Sequence, residues 1–230
     1  IDPATLAKDG LCPPSDWGDQ GADMLVGEGQ HLAIGRNFGG PGLGIFGVRY
    51  NEENKSSIRS TAGRYIGKAK DEKGQDCLVI VLSTREQHIR REKATSNICS
   101  NQSFLASAAG SSMLAKGEEG LRESNNKGVE KARRFATDLY EKTALKLLYP
   151  DTPFYNEVAI SVAAGASNLI TQASHEGLHI GVDLNDRGEN GLLVFFNDEQ
   201  TEEDYNKLIS FFTKHHPSLD SDGAADFALP

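Results

Sequence analysis

The stretch TREQHIRREKATSNICS, residues 84–100, separates a β-rich part of the chain from a mainly helical part. It begins with Thr84 and Gln87 at the spacing of a capping box, which predicts the start of a helix. Within it, Glu86 and Arg90 stand at the i,i+4 spacing of a helical ion pair, so a solvated charged helix would explain the first ten residues. The run then passes into Thr95-Ser96-Asn97, whose hydroxyls and amide are typical of loops that position a phosphate or a partner's backbone.

Apolar patterning predicts the elements on either side of this stretch. Short apolar or alternating runs before it indicate strands, two of them joined by a Lys73-Gly74 hairpin turn. Helical periodicity follows it. The strands are predicted at residues 23–27, 45–50, 65–70 and 76–82, and the helices at residues 102–115 and 128–142.

The last third of the chain has a different pattern, which predicts a separate α+β unit. Its strands are expected at residues 154–162, 178–184 and 192–196, and its helices at residues 166–173 and after a cap at Thr201. A boundary is expected near residues 147–152. The acidic end, rich in small residues, is expected to be a loose tail.

The amino-acid composition argues against several classes of protein. The chain has 230 residues and a formal net charge of −9, and no concentration of Lys and Arg offsets that charge, so nucleic acid is not an expected partner. No apolar run approaches the roughly 20 residues that a membrane span needs. Cys12, Cys77 and Cys99 are too few and too scattered for a disulfide framework or a zinc knuckle. Because Ile1-Asp2-Pro3 resembles neither an initiator region nor a signal peptide, we expect a processed or truncated piece.

Two motifs match cofactor or metal signatures but stand in the wrong context. Residues 42–47 match G-x-G-x-x-G, yet they lead into a predicted strand instead of a helix, so dinucleotide binding is not expected. Residues 175–179, HEGLH, match the zinc-protease signature, but Gly177 is expected to end a helix and so to separate the two histidines. A zinc hydrolase is therefore the less favoured alternative, and no metal site is expected.

Three sequence blocks carry a resemblance to a known family. TREQHIRREKATSNIC, residues 84–99, resembles a signature of glycine dehydrogenase (decarboxylating), the P-protein of the glycine cleavage system. GADMLVGEGQ, residues 21–30, and FGGPGLGIFGV, residues 38–48, resemble a second signature in the expected order and spacing. The likeness continues through EGLRE and GLHIGVDL to the last helix. The resemblance is to the non-catalytic N-terminal half of the family's protein, or to the separate subunit 1. Within that half, the part that this chain resembles is the C-terminal portion.

The resemblance implies a fold class and a division into domains. The family has the aspartate-aminotransferase-type, fold type I, pyridoxal-phosphate fold, with a large α/β domain and a small C-terminal α+β domain. The implied domains are the C-terminal part of the large domain at residues 1–100, connecting helices at 101–147, the small α+β domain at 148–217, and a tail at 218–230. A large-domain sheet without its first strands would have an open edge, which predicts some self-association.

The same resemblance implies that this chain does not hold the coenzyme covalently. In the related catalytic subunit a lysine at the matching place forms the Schiff base with pyridoxal phosphate. Here Gln30 and His31 stand at that place, and no lysine occurs between Lys8 and Lys55. A Schiff base needs an amine beneath the coenzyme ring, so no catalytic residue is expected in this chain. Pyridoxal phosphate is expected to be bound by the partner half.

The function that the resemblance implies is that of a supporting subunit. The complete enzyme decarboxylates glycine and passes the aminomethyl group to the lipoyl H-protein, so the expected partners are the catalytic subunit, the H-protein and glycine. The compartment would be the cytoplasm in a bacterium or the mitochondrial matrix in a eukaryote. A freestanding protein-interaction module is the other alternative. The residues expected to face a shared active site are first Thr95, Ser96 and Asn97, and then Arg85, His88 and Arg91.

Overall fold

The computed structural model describes residues 3–6, 10–35, 38–61, 63–97 and 99–218. The chain divides into two compact units between Glu118 and Glu119. Among the described residues, no helix combines the length and the apolar character needed to cross a membrane. The strands are β1 Met24–Glu28, β2 Gly44–Val48, β3 Tyr65–Lys70, β4 Asp76–Val81, β5 Lys146–Leu147, β6 Glu157–Ser161, β7 Val182–Asp183 and β8 Gly191–Phe195. The helices are α1 Gln30–Ala33, α2 Lys55–Ser60, α3 Gln87–Arg90, α4 Ser100–Lys142, α5 Ala166–His175 and α6 Glu202–His215.

Two separate two-stranded antiparallel sheets form the β structure of the first unit. Strand β1 pairs with β2, and β3 pairs with β4 across the predicted Lys73-Gly74 turn, where Gly74 has a φ of +74°. The predicted strands are confirmed to within a few residues. One face of each sheet exposes large apolar side chains, those of Met24, Val26 and Phe46 in the first sheet and of Ile66, Leu78 and Ile80 in the second.

The predicted capping box at Thr84 is wrong. Residues Ser83–Arg85 form a 3₁₀ turn, and the short helix α3 begins only at Gln87, with Glu86 at its N-cap and no side-chain cap hydrogen bond. Leu82 has a left-handed backbone, φ +63°, which turns the chain sharply before Thr84. The side chains of Arg85 and Glu86 form tertiary contacts that local spacing does not reveal.

The element α4 consists of two helices that meet at a kink, and they correspond to the two predicted helices at 102–115 and 128–142. It runs from Ser100 to Lys142, and its helical geometry is broken at Gly117, where φ is +64° and ψ is −176°. A glycine tolerates this conformation because it has no Cβ atom. The break lies beside the division between the two compact units.

The second unit packs its helices on a four-stranded antiparallel sheet in the order β5-β6-β8-β7. Val158 and Ile160 of β6 lie opposite Val194 and Leu192 of β8, and all four side chains are buried on one face. Strand β7 is shorter than the predicted strand at 178–184. The helical members of the same buried cluster are Ala132, Phe135, Ala136, Leu139, Ala166, Leu169, Ala173, Tyr205, Ile209, Phe211 and Phe212.

This cluster explains where the compact units divide. The ring of Phe135 in α4 lies 5.1 Å from that of Phe196 and 5.6 Å from that of Phe212, between centroids. The second part of α4 is therefore built into the sheet unit, which begins earlier in the chain than the boundary expected near 147–152. The assignment of residues 1–100 and 148–217 to the large and small domains of the family stays a prediction.

Helix α6 begins at the cap that its sequence indicates, and a buried tyrosine anchors it to α4. The Asp204 amide donates to the Thr201 hydroxyl oxygen at 3.2 Å, and the Thr201 amide donates to the Asp204 carboxylate at 2.9 Å. This confirms the cap expected at Thr201. The buried Tyr205 hydroxyl donates to the Asp138 carboxylate of α4 at 2.7 Å. Burial and this carboxylate raise the pKa of Tyr205 far above its ordinary value, so the phenol stays protonated.

Candidate functional site

The turn after β1 is fixed by one carboxylate. Glu28 Oε1 accepts hydrogen bonds from the backbone amides of Gln30 at 2.8 Å and Leu43 at 2.7 Å. These amide contacts, that of Leu43 first, hold the pKa of Glu28 below its ordinary value because they stabilise the ionised form. Glu28 thereby joins both ends of the segment that connects β1 to β2.

Gln30 and His31, which the resemblance sets against the lysine of the catalytic subunit, have no side-chain amine. Gln30 begins the short helix α1, and its side-chain amide donates to the carbonyl oxygens of Ile34 at 3.1 Å and Gly35 at 2.7 Å. Its amide hydrogens therefore bond to the local backbone. His31 follows on the same turn and is exposed. This turn consequently does not fit the covalent attachment of pyridoxal phosphate.

Arg85 anchors residues 84–100, called the signature stretch below, to helix α2. Its side chain is buried, with 8% exposure. Its guanidinium donates to the carbonyl oxygens of Ile58 at 2.8 Å and Arg59 at 2.6 Å, and also to that of Thr61. These carbonyls close the C-terminal end of α2, where a cation also complements the helix dipole. The geometry places this guanidinium inside the unit, engaged with backbone.

Glu86 is a buried carboxylate, whereas its spacing from Arg90 predicted a solvated helical ion pair. Its side chain is 3% exposed, and its Oε1 atom accepts a hydrogen bond from the Ser96 hydroxyl at 3.1 Å. The same oxygen lies 3.7 Å from Arg64 Nε. The expected i,i+4 pair with Arg90 is replaced by these contacts. Periodicity could not indicate them, because Arg64 and Ser96 lie outside the helical turn that begins at Glu86.

The remaining candidates lie on the outer side of this stretch. His88, Arg91, Thr95 and Asn97 are exposed, and Ser96 is half-buried against Glu86. Arg91 has a φ of +53° and a ψ of −120°, a backbone conformation that non-glycine residues rarely adopt. Thr95 and Asn97 are therefore exposed residues on either side of Ser96, whose hydroxyl is bonded to the Glu86 carboxylate.

Neither cofactor-like motif forms a site. Helix α5 ends at His175, and Gly177 follows in a left-handed turn, φ +77°, so His175 and His179 belong to different segments as expected. Within the described part of the chain, no group of three His, Cys, Asp or Glu side chains is arranged to hold a metal ion. Residues 42–47 lead into strand β2, so no helix N-terminus follows them to hold a pyrophosphate.

Comparison with known proteins identifies the family. A family model described as glycine cleavage system P-protein matches residues 4–212. The chain belongs to this family. It is 38% identical over 193 residues to the probable glycine dehydrogenase (decarboxylating) subunit 1 of Chlorobaculum parvum, and 40% identical over 192 residues to that of Chlorobium limicola. Each of these matches covers 84% of this chain and 42% of the relative.

A solved P-protein shows the same fold. The chain matches the crystal structure of the glycine decarboxylase (P-protein) of the glycine cleavage system in inhibitor-bound form, with a TM-score of 0.67 and 32% identity. That match covers 89% of this chain and 45% of the solved chain. The predicted fold class, mixed α/β and α+β of the fold type I pyridoxal-phosphate enzymes, is confirmed. The chain spans less than half the length of the relatives that it matches.

Proposed function

We propose that this P-protein chain is a non-catalytic, site-shaping component of a pyridoxal-phosphate-dependent glycine decarboxylase. The assembled enzyme would decarboxylate glycine and transfer the aminomethyl group to the lipoyl H-protein. A catalytic subunit or half would bind the coenzyme covalently, and the bound coenzyme would supply the electron sink for decarboxylation. This chain would contribute side chains to the edge of the shared site.

The observation that carries the proposal is the chemistry of the turn after β1. The family resemblance implies that Gln30 and His31 stand where the catalytic subunit has its lysine, and the Gln30 amide is bonded to the backbone oxygens of Ile34 and Gly35. An amide cannot form a Schiff base with the coenzyme aldehyde, and His31 has no primary amine. The name "subunit 1" of the relatives supports a division of labour between two subunits.

The signature stretch supports a site-shaping role. Arg85 and Glu86 fix its inner side, and the outer side presents Thr95 and Asn97. A hydroxyl and an amide held in a fixed loop can donate hydrogen bonds to an anionic group of a coenzyme or to a partner's backbone. Of the six site candidates, Thr95, Ser96 and Asn97 remain the first choice. His88 and Arg91 are accessible second choices, whereas the Arg85 guanidinium is directed at helix α2.

Borohydride trapping tests which chain holds the coenzyme. This chain, alone and mixed with a catalytic glycine dehydrogenase subunit 2, would be treated with pyridoxal phosphate and borohydride and then digested for peptide mass spectrometry. We expect a stoichiometric lysine adduct on the catalytic subunit and none on this chain. A single specific adduct on this chain would refute the non-catalytic role.

Replacement of Asn97 tests whether the signature stretch faces the shared site. Asn97→Ala should lower glycine decarboxylation by the mixed subunits about tenfold, the effect of losing roughly 1.4 kcal/mol of interaction in the transition state. Asn126→Ala, an exposed asparagine on α4, is the matched control and should leave turnover unchanged. Equal turnover of Asn97→Ala and the control would remove this stretch from the site.

A further inference from the structure

Two buried charged side chains stand next to each other at the base of the signature stretch. Arg85 is 8% exposed and Glu86 is 3% exposed. Burying an ionised side chain is costly unless hydrogen bonds and an opposite charge compensate for the lost water. Arg85 is compensated by three carbonyl oxygens at the end of α2. Glu86 is compensated on one side only, because among the described residues no donor reaches its buried Oε2 atom.

The satisfied oxygen of Glu86 holds the segment that carries the first-choice site candidates. Its Oε1 accepts the Ser96 hydroxyl at 3.1 Å, and the backbones of Glu86 and Ser96 form a parallel β-bridge. Ser96 is therefore held both by its side-chain hydrogen bond and by its backbone bridge. Thr95 and Asn97 are the immediate neighbours of that fixed residue, and both are exposed. The direction in which they point depends on where Ser96 is held.

The orientation of Glu86 is itself fixed. Arg64 Nε lies 3.7 Å from Oε1 and provides an opposite charge beside this oxygen. The peptide of Glu86 is part of the turn, since its carbonyl oxygen accepts the amides of Ile89 at 3.0 Å and Arg90 at 2.9 Å. A half-satisfied buried carboxylate is a poor means of stabilising a fold, whereas fixing one geometry is a role that buried polar groups can serve.

We propose that Glu86 is a positioning residue: through the Ser96 hydroxyl it holds residues 95–97 in the conformation in which Thr95 and Asn97 meet the shared site. This inference rests on the proposed function, because it names the residue that would hold the shared site's side chains in place. Glu86 does not touch the reacting groups. It acts by raising the fraction of molecules in which the segment has its competent conformation.

Hydrogen exchange of the full chain tests the positioning directly, without coenzyme or partner. In Glu86→Ala and Ser96→Ala, the amides of residues 94–97 should exchange about tenfold faster than in the unchanged chain, because one restraint on local opening is lost. Glu86→Gln retains a side-chain oxygen that can accept the Ser96 hydroxyl, so it should restore most of the protection. Glu92→Gln, an exposed glutamate of the same stretch, is the control and should change nothing.

The affinity for pyridoxal phosphate distinguishes a positioning role of Glu86 from a general effect on folding stability. In the mixture with the catalytic subunit, the Kd for pyridoxal phosphate should rise about fivefold in Glu86→Ala and in Ser96→Ala, and by no more in the double variant. Glu86→Gln should stay near the unchanged value. Urea unfolding followed by Trp17 fluorescence shows whether each variant is folded, and Ser96→Ala carries the test if Glu86→Ala does not fold.

The outcomes distinguish the two proposals. Faster exchange together with a higher Kd in the Ala variants, and rescue by Gln, support the positioning role. Unchanged exchange and Kd in Ser96→Ala and Glu86→Ala, while Asn97→Ala still lowers turnover, overturn the positioning role and leave the proposed function standing. If Asn97→Ala and Thr95→Ala also leave Kd and turnover unchanged, the shared site itself is refuted, and the inference fails with it.

Discussion

Replacement of Arg85 by methionine should make the first unit easier to unfold, although Arg85 lies in a stretch that resembles a family signature. Methionine keeps the apolar stem and removes the guanidinium. Three carbonyl oxygens at the end of α2 then lose a charged donor. The carbonyl of Ile58 keeps a second donor, the hydroxyl of Thr61 at 3.0 Å, so the loss is not complete.

The expected magnitude follows from these contacts. A hydrogen bond to a charged group contributes about 1.5–3 kcal/mol, and relief of the cost of burying the guanidinium offsets part of the sum. We expect a net loss of about 3 kcal/mol in the free energy of unfolding. With a slope of about 1.5 kcal/mol per molar urea, the midpoint should fall by about 2 M.

The assay uses the single tryptophan of the chain, Trp17, which lies in the first unit. Its fluorescence reports urea unfolding of that unit, and far-UV circular dichroism reports both units. Arg91→Met is the matched control, because Arg91 is an exposed arginine of the same stretch. If the two variants unfold within about 0.5 kcal/mol of each other, the anchoring role of Arg85 is refuted.

Three further perturbations test other parts of the structure. Glu28→Gln should destabilise the first unit above about pH 4.5, the ordinary pKa of a glutamate. The difference in stability between the variant and the unchanged chain should vanish as pH falls through the lower pKa of native Glu28. Acid titration followed by Trp17 fluorescence measures this difference. Gly181→Ala should cost at least about 2 kcal/mol more than Gly188→Ala in thermal unfolding, because a Cβ at position 181 would overlap a carbonyl oxygen of β8, whereas none lies near position 188. Leu78→Lys should reduce self-association in light scattering, and Leu114→Lys should not, because only Leu78 belongs to an apolar sheet face.

Local patterns were sufficient to predict elements whose partners are near in the sequence. The β3–β4 hairpin follows from two apolar runs and the Lys73-Gly74 turn, and its register from Tyr65↔Val81 to Lys70↔Asp76 brings together residues at most 16 positions apart. The cap of α6 is similar, because Thr201 and Asp204 satisfy each other within one helical turn. In both cases the chemistry that fixes the element lies within the element.

Patterns failed where a distant part of the chain decides the structure. Thr84 and Gln87 have the spacing of a capping box, but the Arg85 guanidinium binds carbonyls of α2 and the Glu86 carboxylate accepts the hydroxyl of Ser96. Those tertiary contacts outweigh a cap that contributes about 1 kcal/mol. Likewise, apolar spacing predicted the second helix of α4 only from residue 128, although helical geometry resumes directly after Gly117, since the polar residues between carry little periodicity.

The candidate site shows the same limit and explains why one of its residues was missed. Thr95, Ser96 and Asn97 could be chosen from side-chain chemistry and from the family likeness, because both are local properties of the sequence. Glu86 could not be chosen in this way, because a glutamate among arginines is usually a solvated ion. Its burial depends on Arg64 and Ser96, which reach it through the tertiary fold. Burial therefore separates the charged residues of this stretch into two groups: Arg91 and Glu92 are exposed, whereas Arg85 and Glu86 are buried and hold the stretch in place.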